Sequence, residues 1–437
     1  MRARWYRLLY SFVWWLIIPL ALCRLWWRGR KEPGYRQYIP ERLGFYPKLN
    51  NGAVYPTPSY IWVHAVSVGE TRAAEPLVNM LLADYPQHTI LLTHMTATGR
   101  ATGQALFGTS ARVVQSFLPY DTGWMVGRFL RHFSPRLCVL METEVWPNMI
   151  AQCARYKVPV ALVNARLSER SLRRGKKFET LMTEAAHGIS CVGAQTKEDA
   201  QRLQQLGASS VTITGNLKFD VAPSEDLVRI GIALRHQIGL RPVLLCASTR
   251  EGEEALILAE LCKAERALSI ENLLLIIVPR HPQRFDEVAN LITANKLLMA
   301  RRSALGNDQL KPEIKVLLGD SMGEMFAYYG ASDIAFIGGS LMPLGGQNLI
   351  EACAVGRPVL IGPHTFNFAA VTEQAIAAGA TVRVTDAGDM LDVASRLLLA
   401  DQERETMGRH ASEFARLHRG ATARTLALLA LLLSSLQ

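Results

Sequence analysis

The chain has 437 residues, of which 49% are hydrophobic and 20% are charged. This length predicts two to three domains at about 150 residues each, and the composition excludes general disorder. The net charge of +10 is concentrated at the start: residues 1–31 hold seven Lys and Arg and no acid, which leaves +3 for the rest. A basic face of the kind that binds nucleic acid is therefore not expected. Seven scattered cysteines without a CxxC pair argue against disulfides and a zinc ribbon, and favour a reducing compartment.

Residues 1–31 are predicted to form a membrane anchor. Leu8–Cys23 is an uncharged run of sixteen residues between Arg7 and Arg24, and five of the eight tryptophans lie in or beside it. As a helix this run spans about 24 Å, less than the ~30 Å hydrocarbon core, so either a spanning or an interfacial helix fits. The main alternative is a cleaved signal peptide, but no small-residue cleavage site follows Cys23. The basic C-terminal flank places the rest of the protein on the cytoplasmic side.

From Ser59 onward, short apolar runs alternate with helical stretches. The runs of a first series are 60–66, 89–93, 137–141, 158–163, 188–192 and 211–214, and those of a second are 242–247, 272–278, 314–319, 333–338 and 357–362. Continuous apolar runs between helices predict parallel strands buried on both faces. A polar segment near 219–237 separates the series, which predicts two doubly wound α/β domains, residues 32–222 and 223–437, with the last helix packing back on the first domain. Ligands of such sheets bind beyond the carboxyl ends of the strands.

Several acids and one lysine follow the strands of the first series. Glu70 lies at a helix start, where a carboxylate either accepts a proton from a sugar hydroxyl or simply complements the helix dipole. Glu142 and Glu144 share one side if the strand before them continues. They then form a glycosidase pair or a metal site, or one acid holds a loop while the other is functional. Lys218 suits a phosphate or carboxylate, or is a solvated surface lysine.

The second series offers groups suited to an anionic ligand. Arg280 lies between two prolines, and the neighbouring His281 is more typical of a structural residue than of a ligand. Residues 338–340 form a Gly-Gly-Ser segment that leaves room for a phosphate. Asn348 and Glu351 have capping-box spacing, and the functional alternative is that Glu351 holds the hydroxyls of a ribose.

Several motifs are absent from the sequence. It contains no GxG, which excludes a dinucleotide-binding fingerprint, and no GxxxxGK[ST] Walker loop. It also lacks Asp-x-Asp, which weakens the case for a metal-bridged diphosphate-sugar donor. Dehydrogenase and NTPase activities are thereby excluded.

Taken in order, the strand-end motifs resemble those of one family. They are RLWWRGRK (24–31), ERLGFY (41–46), HAVSVGET (64–71), METEVWPN (141–148), NARLS (164–168), GNLKFD (215–220), VPRHP (278–282), GDSMGE (319–324) and GPHTFNF (362–368). Each motif is weak alone, but together they span nearly the whole chain and are similar to the 3-deoxy-D-manno-octulosonic acid (Kdo) transferases of lipid A assembly.

This resemblance implies a GT-B fold, with two Rossmann-like domains facing a cleft, and an inverting transfer of Kdo from CMP-Kdo to lipid IVA. It implies Glu70 as the general base, with Glu142 and Lys218 stabilising the transition state. The implied CMP site comprises Pro279, Arg280, Met322, Gly323, Glu324, Asn348, Leu349, Ile350 and Glu351.

The chemistry of this transfer agrees with the residues present. CMP carries one phosphate and is a stable leaving group, so no metal and no other cofactor is expected. Inversion by direct displacement needs one base rather than a pair of acids, and its charge resembles the oxocarbenium ion of glycoside cleavage. The basic anchor, with Arg36 and Arg42 beyond it, places positive charge and apolar surface where a phosphorylated, acylated acceptor would lie at the bacterial inner membrane.

The sequence departs from the family at one motif. Family members often read Gly-Gly-His-Asn-Pro-Leu-Glu-Ala before the last CMP-binding helix, whereas this chain has Gln347 in place of the histidine and Leu349 in place of the proline. Asn348 and Glu351 remain, so nucleotide binding is expected to persist, while any role of the histidine in placing the donor is lost.

Two other functions compete with Kdo transfer. One is a GT-B enzyme that uses a UDP-sugar, which competition between CMP and UDP for binding distinguishes. The other is a membrane-anchored binding protein without turnover, against which the retained Glu70, Lys218 and Glu351 argue.

Overall fold

The computed structural model describes residues 2–30, 32–47, 59–263, 272–306 and 308–434. By its internal contacts the chain divides into two units. Unit 1 comprises residues 1–220 and 419–437, and unit 2 comprises residues 221–418. The last residues of the chain therefore belong to the same unit as the first.

Unit 1 begins with helix α1, Arg2–Arg28. Its segment Trp5–Arg28 has a mean hydropathy of 1.8 and is long and apolar enough to cross a membrane, by length and composition alone. Pro19 lies inside the helix. One side of α1 nevertheless packs on unit 1, where Ile18 is buried with Tyr120 and Met125.

The remaining elements of unit 1 alternate between strand and helix. They are α2 (Ile39–Arg42), β1 (Ser59–His64), α3 (Val68–Asp84), β2 (His88–His94), α4 (Ala97–Phe107), β3 (Val113–Phe117), α5 (Gly123–Phe133), β4 (Leu137–Met141), α6 (Pro147–Arg155), β5 (Val160–Ala165), α7 (Glu169–Lys176), α8 (Glu179–His187), β6 (Cys191–Ala194), α9 (Lys197–Gln205) and β7 (Val211–Ile213). The strands form one sheet in the order β3-β2-β1-β4-β5-β6-β7, and every pairing is parallel.

Unit 2 has the same construction. Its elements are α10 (Glu225–Ile238), β8 (Val243–Thr249), α11 (Glu253–Leu261), β9 (Leu274–Pro279), α12 (Phe285–Ala294), β10 (Met299–Arg301), β11 (Val316–Leu318), α13 (Met325–Ala331), β12 (Ile334–Ile337), α14 (Ile350–Ala354), β13 (Val359–Ile361), α15 (Ala369–Ala377), β14 (Thr381–Arg383), α16 (Ala387–Leu399) and α17 (Asp401–His418). The sheet order is β10-β11-β9-β8-β12-β13-β14, again with parallel pairing.

The apolar runs are buried strands because helices cover both faces of each sheet. Along β1, Ile61 and Val63 contribute to the core on one face, while Tyr60 and Trp62 contribute to the core on the other. This alternation follows from the pleat of the strand. The predicted parallel α/β class is confirmed in both units.

Three strands were not predicted: β3, β10 and β14. All three lie at the edges of their sheets. An edge strand has fewer neighbours, so polar residues such as Gln115 in β3 and Arg301 in β10 interrupt the apolar run on which the prediction depended.

The last helix, α18 (Ala421–Ser434), packs into unit 1. The Asp220 carboxylate accepts hydrogen bonds from the backbone N–H groups of Gly420 (2.6 Å) and Thr422, at the start of this helix. Leu429 and Leu433 join the core beneath α3. A carboxylate at a helix N-terminus satisfies unpaired N–H groups and complements the helix dipole.

In unit 2 a buried ion pair joins α11 to α12. Glu254 is fully buried, and its carboxylate accepts hydrogen bonds of 2.7 and 3.1 Å from the Arg284 guanidinium. Removing one partner of such a pair leaves an uncompensated buried charge, which costs about 3–5 kcal/mol.

Arg284→Met is therefore expected to lower the free energy of unfolding by about 3–5 kcal/mol, measured by urea denaturation of the full chain in detergent. Arg229→Met removes an exposed ion pair with Asp226 in the same unit and serves as the control. We expect the control to leave the urea midpoint unchanged. Equal midpoints for the two variants would contradict the assigned role of Arg284.

Candidate active site

The catalytic residues implied by the resemblance lie where the strand order of unit 1 reverses. Glu70 follows β1 and Glu142 follows β4, and these two strands are neighbours in the sheet. From this pair the chain proceeds to β2 and β3 on one side and to β5, β6 and β7 on the other. In doubly wound sheets this switch point is the place where ligands bind.

Glu70 lies in the first turn of α3. Ser67 caps this helix through a hydrogen bond from the Glu70 N–H to its Oγ (3.4 Å). The Glu70 carboxylate reaches back to accept from the Val66 N–H (2.7 Å) and the Ser67 hydroxyl (3.3 Å). Burial, together with the Glu142 and Glu144 carboxylates, raises the pKa of Glu70 to about 7, against the lowering by the hydrogen bonds from Val66 and Ser67. The residue thus helps to cap the helix and also has the pKa of a general base at neutral pH.

The structure contradicts the assumption that β4 continues through Glu142 and Glu144. The strand ends at Met141, and Glu142 adopts a left-handed conformation with φ of 56°. The Glu142 carboxylate is buried and forms ion pairs with Lys218 Nζ (3.0 Å) and Arg166 Nε (3.0 Å). Among the described residues, no group of three or more His, Cys, Asp or Glu is placed to hold a metal.

Glu144 has a different environment. Its carboxylate accepts a hydrogen bond from the indole N–H of Trp146 (2.8 Å), and burial raises its pKa. Of the alternatives left open by the sequence, the geometry matches the one in which a first acid, Glu142, engages cations and a second, Glu144, holds the loop before α6.

Two residues at this site were missed by the sequence reasoning. Arg166, half exposed, is the second cation on Glu142. Asn164 is fully buried with φ of 52°, and its side-chain oxygen accepts from the Leu217 N–H (3.1 Å), which fixes the turn that carries Lys218. Both belong to the NARLS motif, which spans the end of β5, so their position at a strand end was the available signal.

In unit 2 the residues of the implied CMP site follow β9, β11 and β12, of which β9 and β11 are neighbours in the sheet while β8 separates β9 from β12. Pro279 ends β9, and the backbone N–H of Arg280 donates to the Thr249 carbonyl (2.9 Å). Met322 is exposed, and Gly323 has φ of +83° with nothing within 4 Å of the position where a Cβ would lie. This turn presents an apolar side chain and open backbone.

The side chain of Glu324 is already engaged. It accepts from the Arg302 guanidinium (3.1 and 3.3 Å) and from the Ser321 hydroxyl (2.7 Å). Ser321 is also hydrogen-bonded to the hydroxyl of Tyr328 (2.6 Å). Arg302 was not singled out in the sequence, and it holds Glu324 in place.

Around α14, Asn348 and Glu351 contact each other. The Asn348 side chain donates to the Glu351 carboxylate (3.0 Å) and accepts from the Ile350 N–H (3.1 Å). Leu349 and Ile350 are buried at 0% and 1% exposure. Any contact of these two residues with a nucleotide must therefore use the backbone.

The expectation that residues 338–340 admit a phosphate is wrong for this structure. The fully buried Glu253 carboxylate accepts from the N–H groups of Gly339 (2.6 Å), Ser340 (2.9 Å) and Leu341 (2.9 Å). It also accepts from the Arg250 N–H (2.9 Å). The chain thus fills this anion-binding backbone with its own carboxylate.

The expectation that Arg42 contributes surface charge near the anchor is also wrong. Arg42 is 1% exposed, and its guanidinium lies 3.7 Å from the ring centroid of Phe117 and donates to the Met95 carbonyl (3.0 Å). The short helix α2 places it inside unit 1.

Two parallel Rossmann-like units with candidate sites at their strand ends define the GT-B class of glycosyltransferases. A glycosyltransferase from Rickettsia africae matches 87% of this chain and 99% of its own, with 13% identity and a TM-score of 0.58. The UDP-GlcNAc 2-epimerase from Neisseria meningitidis matches 85% of this chain and 99% of its own, with 15% identity and a TM-score of 0.55. At these identities the likeness shows the fold alone.

The sequence comparisons give the family. Residues 37–221 match the family model described as 3-deoxy-D-manno-octulosonic-acid transferase (kdotransferase). The 3-deoxy-D-manno-octulosonic acid transferase of Bordetella pertussis is 48% identical over 417 residues, covering 94% of this chain and 95% of the relative. That of Haemophilus influenzae is 40% identical over 430 residues, covering 97% and 98%. The chain belongs to the Kdo transferase family of lipopolysaccharide biosynthesis, and the resemblance inferred from its motifs is confirmed.

Asn164 gives a test of how the site is held. Asn164→Ala is expected to lower the free energy of unfolding by about 1–3 kcal/mol through the unpaired Leu217 N–H, with about 1–2 kcal/mol more for a left-handed alanine. Asn164→Gly relieves only the second cost, so we expect it to lie between alanine and wild type in urea denaturation. If the glycine variant is no more stable than the alanine variant, the left-handed backbone at residue 164 does not strain alanine.

Proposed function

We propose that this protein transfers Kdo from CMP-Kdo to a hydroxyl of lipid IVA, with inversion and with Glu70 as the general base. The observation that carries the proposal is the half-buried Glu70 carboxylate at the switch point of unit 1, with a pKa raised to about 7. Membership of the Kdo transferase family supports the sugar that is transferred.

In the proposed reaction, Glu70 accepts the proton of the acceptor hydroxyl as its oxygen attacks the anomeric carbon of Kdo. The bond between that carbon and the phosphate oxygen of CMP breaks, and CMP leaves with the electron pair. A base whose pKa is near 7 is deprotonated often enough at neutral pH to accept the proton, yet basic enough to remove it.

Lys218 and Glu142 are proposed to stabilise the transition state. The donor carries a carboxylate and a phosphate, and the leaving phosphate gains charge as the bond breaks. Preplaced cations stabilise such charge because they need no reorganisation during the reaction. Glu142 holds both Lys218 and Arg166 at 3.0 Å, which limits the motion of the two cations.

Unit 2 is proposed to bind CMP. Arg280 supplies a cation for the phosphate, and Glu351, oriented by Asn348, accepts from the ribose hydroxyls. The turn at Met322 and Gly323 offers an apolar surface and open backbone to the base. No metal and no other cofactor has a role in this proposal.

The acceptor is proposed to come from the cytoplasmic face of the bacterial inner membrane, to which α1 attaches the protein. Large apolar side chains are exposed along the helix: Trp5, Leu8, Leu9, Phe12, Val13, Trp15, Leu16, Ile17, Leu20, Trp26 and Trp27. Aromatic residues at both ends suit the membrane–water interface. A surface of this size on a single helix points to a lipid environment.

Glu70→Gln is expected to lower acceptor-dependent CMP release from CMP-Kdo by about 10²–10⁴-fold, while CMP binding stays unchanged. The assay uses the detergent-solubilised protein and a tetraacylated disaccharide bisphosphate. Glu75→Gln, on the same helix, is the control and should retain activity. Binding of UDP in preference to CMP would instead favour a UDP-sugar enzyme. Binding of CMP and lipid without turnover by the wild type would favour a non-catalytic binding protein.

The pH dependence gives a second test. Because only deprotonated Glu70 accepts the proton, kcat/KM should increase as the pH rises through about 7 and should be lower at more acidic pH. Glu142→Gln removes a charge that raises the pKa of Glu70, so this limb should move to lower pH in the residual activity. Glu169→Gln, at an exposed residue, is the control and should leave the acidic limb at the same pH. An unshifted limb in Glu142→Gln would contradict the assignment of Glu70 as the general base.

A further inference from the structure

Helix α1 is fixed to unit 1 along most of its length. Arg7, in its second turn, pairs with Glu184 of α8 (3.0 Å). About four turns later, Leu22 packs against the buried cluster of Ile18, Tyr120 and Met125. The contacts recur three or four residues apart, as expected for one side of a helix. The helix is therefore a structural part of unit 1 as well as an apolar surface.

Two of these contacts reach the segment between β4 and α6. The ring centroid of Trp14 lies 6.0 Å from that of Trp146, with an angle of 43° between the planes. Ser11 Oγ accepts from the side-chain amide of Asn148 (2.9 Å) and lies 3.2 Å from its oxygen. Trp146 and Asn148 flank Pro147, the first residue of α6.

Asn148 is in turn fixed by the interior. It is 5% exposed, and its side-chain amide also donates to the Asp121 carbonyl (2.6 Å). The Asp121 carboxylate accepts from the N–H groups of Asn148 (3.1 Å) and Met149 (2.7 Å), at the start of α6. Ser11 thus adds a bond from α1 to an anchored helix start.

Trp146 links helix α1 to the segment that holds the proposed catalytic residue Glu142. Its indole N–H donates to Glu144, whose carboxylate acts electrostatically on Glu70. Only residues 142–146 separate β4 from α6, and Glu142 within them has a left-handed backbone. A conformation of this kind persists only where the surroundings enforce it.

We propose that Trp14 and Trp146 are positioning residues, through which the seating of α1 on unit 1 sets the geometry of residues 142–146. This inference rests on the proposed function, because it assigns the effect to the rate of Kdo transfer. The apolar helix then has two separate effects. Its exposed side binds the membrane, and the side that contacts Trp146 affects the rate of Kdo transfer.

The helix offers a matched control. Trp15, one residue further along, packs against Trp124 of α5 with ring centroids 6.4 Å apart, and this ring contact does not involve residues 142–146. Trp14→Ala and Trp15→Ala remove the same side chain from the same helix. Trp14 also contacts Tyr10 and Tyr120, so a difference between the two variants reports on these contacts together with that to Trp146.

The experiment measures kcat and KM for the lipid acceptor at saturating CMP-Kdo, together with the pH profile, binding to phospholipid vesicles and the thermal midpoint. We expect Trp14→Ala to lower kcat about tenfold to 100-fold with vesicle binding like that of Trp15→Ala. Its acidic limb should move to lower pH, because Glu144 is no longer held near Glu70. Trp14→Phe, which keeps a ring at this place, should restore most of the rate.

Equal kcat values and pH profiles for Trp14→Ala and Trp15→Ala would overturn the proposal and leave α1 as an anchor only. If Trp14→Ala unfolds, Trp14→Leu decides, since it removes the ring that contacts Trp146 but keeps an apolar side chain; a wild-type kcat there would also overturn the proposal. Lack of acceptor-dependent CMP release by the wild type would refute the proposed function instead, and CMP binding by every variant shows that unit 2 is folded.

Discussion

The arrangement of unit 1 depends on neutralising one buried carboxylate. Glu142 is 5% exposed, and a buried carboxylate without partners costs several kcal/mol. Its two partners come from different places in the chain: Arg166 follows β5, and Lys218 follows β7. The charge of Glu142 therefore holds three strand ends together. The residue does so in a left-handed backbone conformation, which is unfavourable for a side chain of this kind. The Glu142 carboxylate forms both of its ion pairs only when all three segments have reached their final positions.

The central strands could be read from the sequence because parallel strands covered on both faces must be apolar throughout. β4, with the sequence LCVLM, is buried at every position. β10 and β14 have three residues each and lie at sheet edges, where one side lacks a neighbour and residues such as Arg301 and Arg383 are tolerated. Burial at an edge is decided by the helices and loops that cover it, which local sequence does not specify.

The site shows a similar division. The resemblance of the motifs implies Glu70, Glu142 and Lys218 as candidates, but the sequence does not show which acid engages cations, because that depends on where β4 stops. A glycine-rich loop after a strand has the same sequence whether its N–H groups bind a ligand phosphate or an internal carboxylate, and here Glu253 occupies them. The local sequence around Arg42 is that expected for a surface arginine, but its guanidinium lies over the ring of Phe117. Each difference arises from a partner distant in the chain.

The return of α18 to unit 1 has a consequence for how the protein is made. Leu429 and Leu433 complete a core that begins with β1, yet they are translated after the whole of unit 2. Unit 2, with 198 residues, is synthesised in between, which takes about 10–40 s at bacterial rates of roughly 5–20 residues per second. During that interval the nascent first unit exposes the surface that α18 later covers, while α1 is already available to the membrane. Completion of unit 1 therefore waits for the synthesis of unit 2, and chaperones or the bilayer can act on the incomplete unit during that interval.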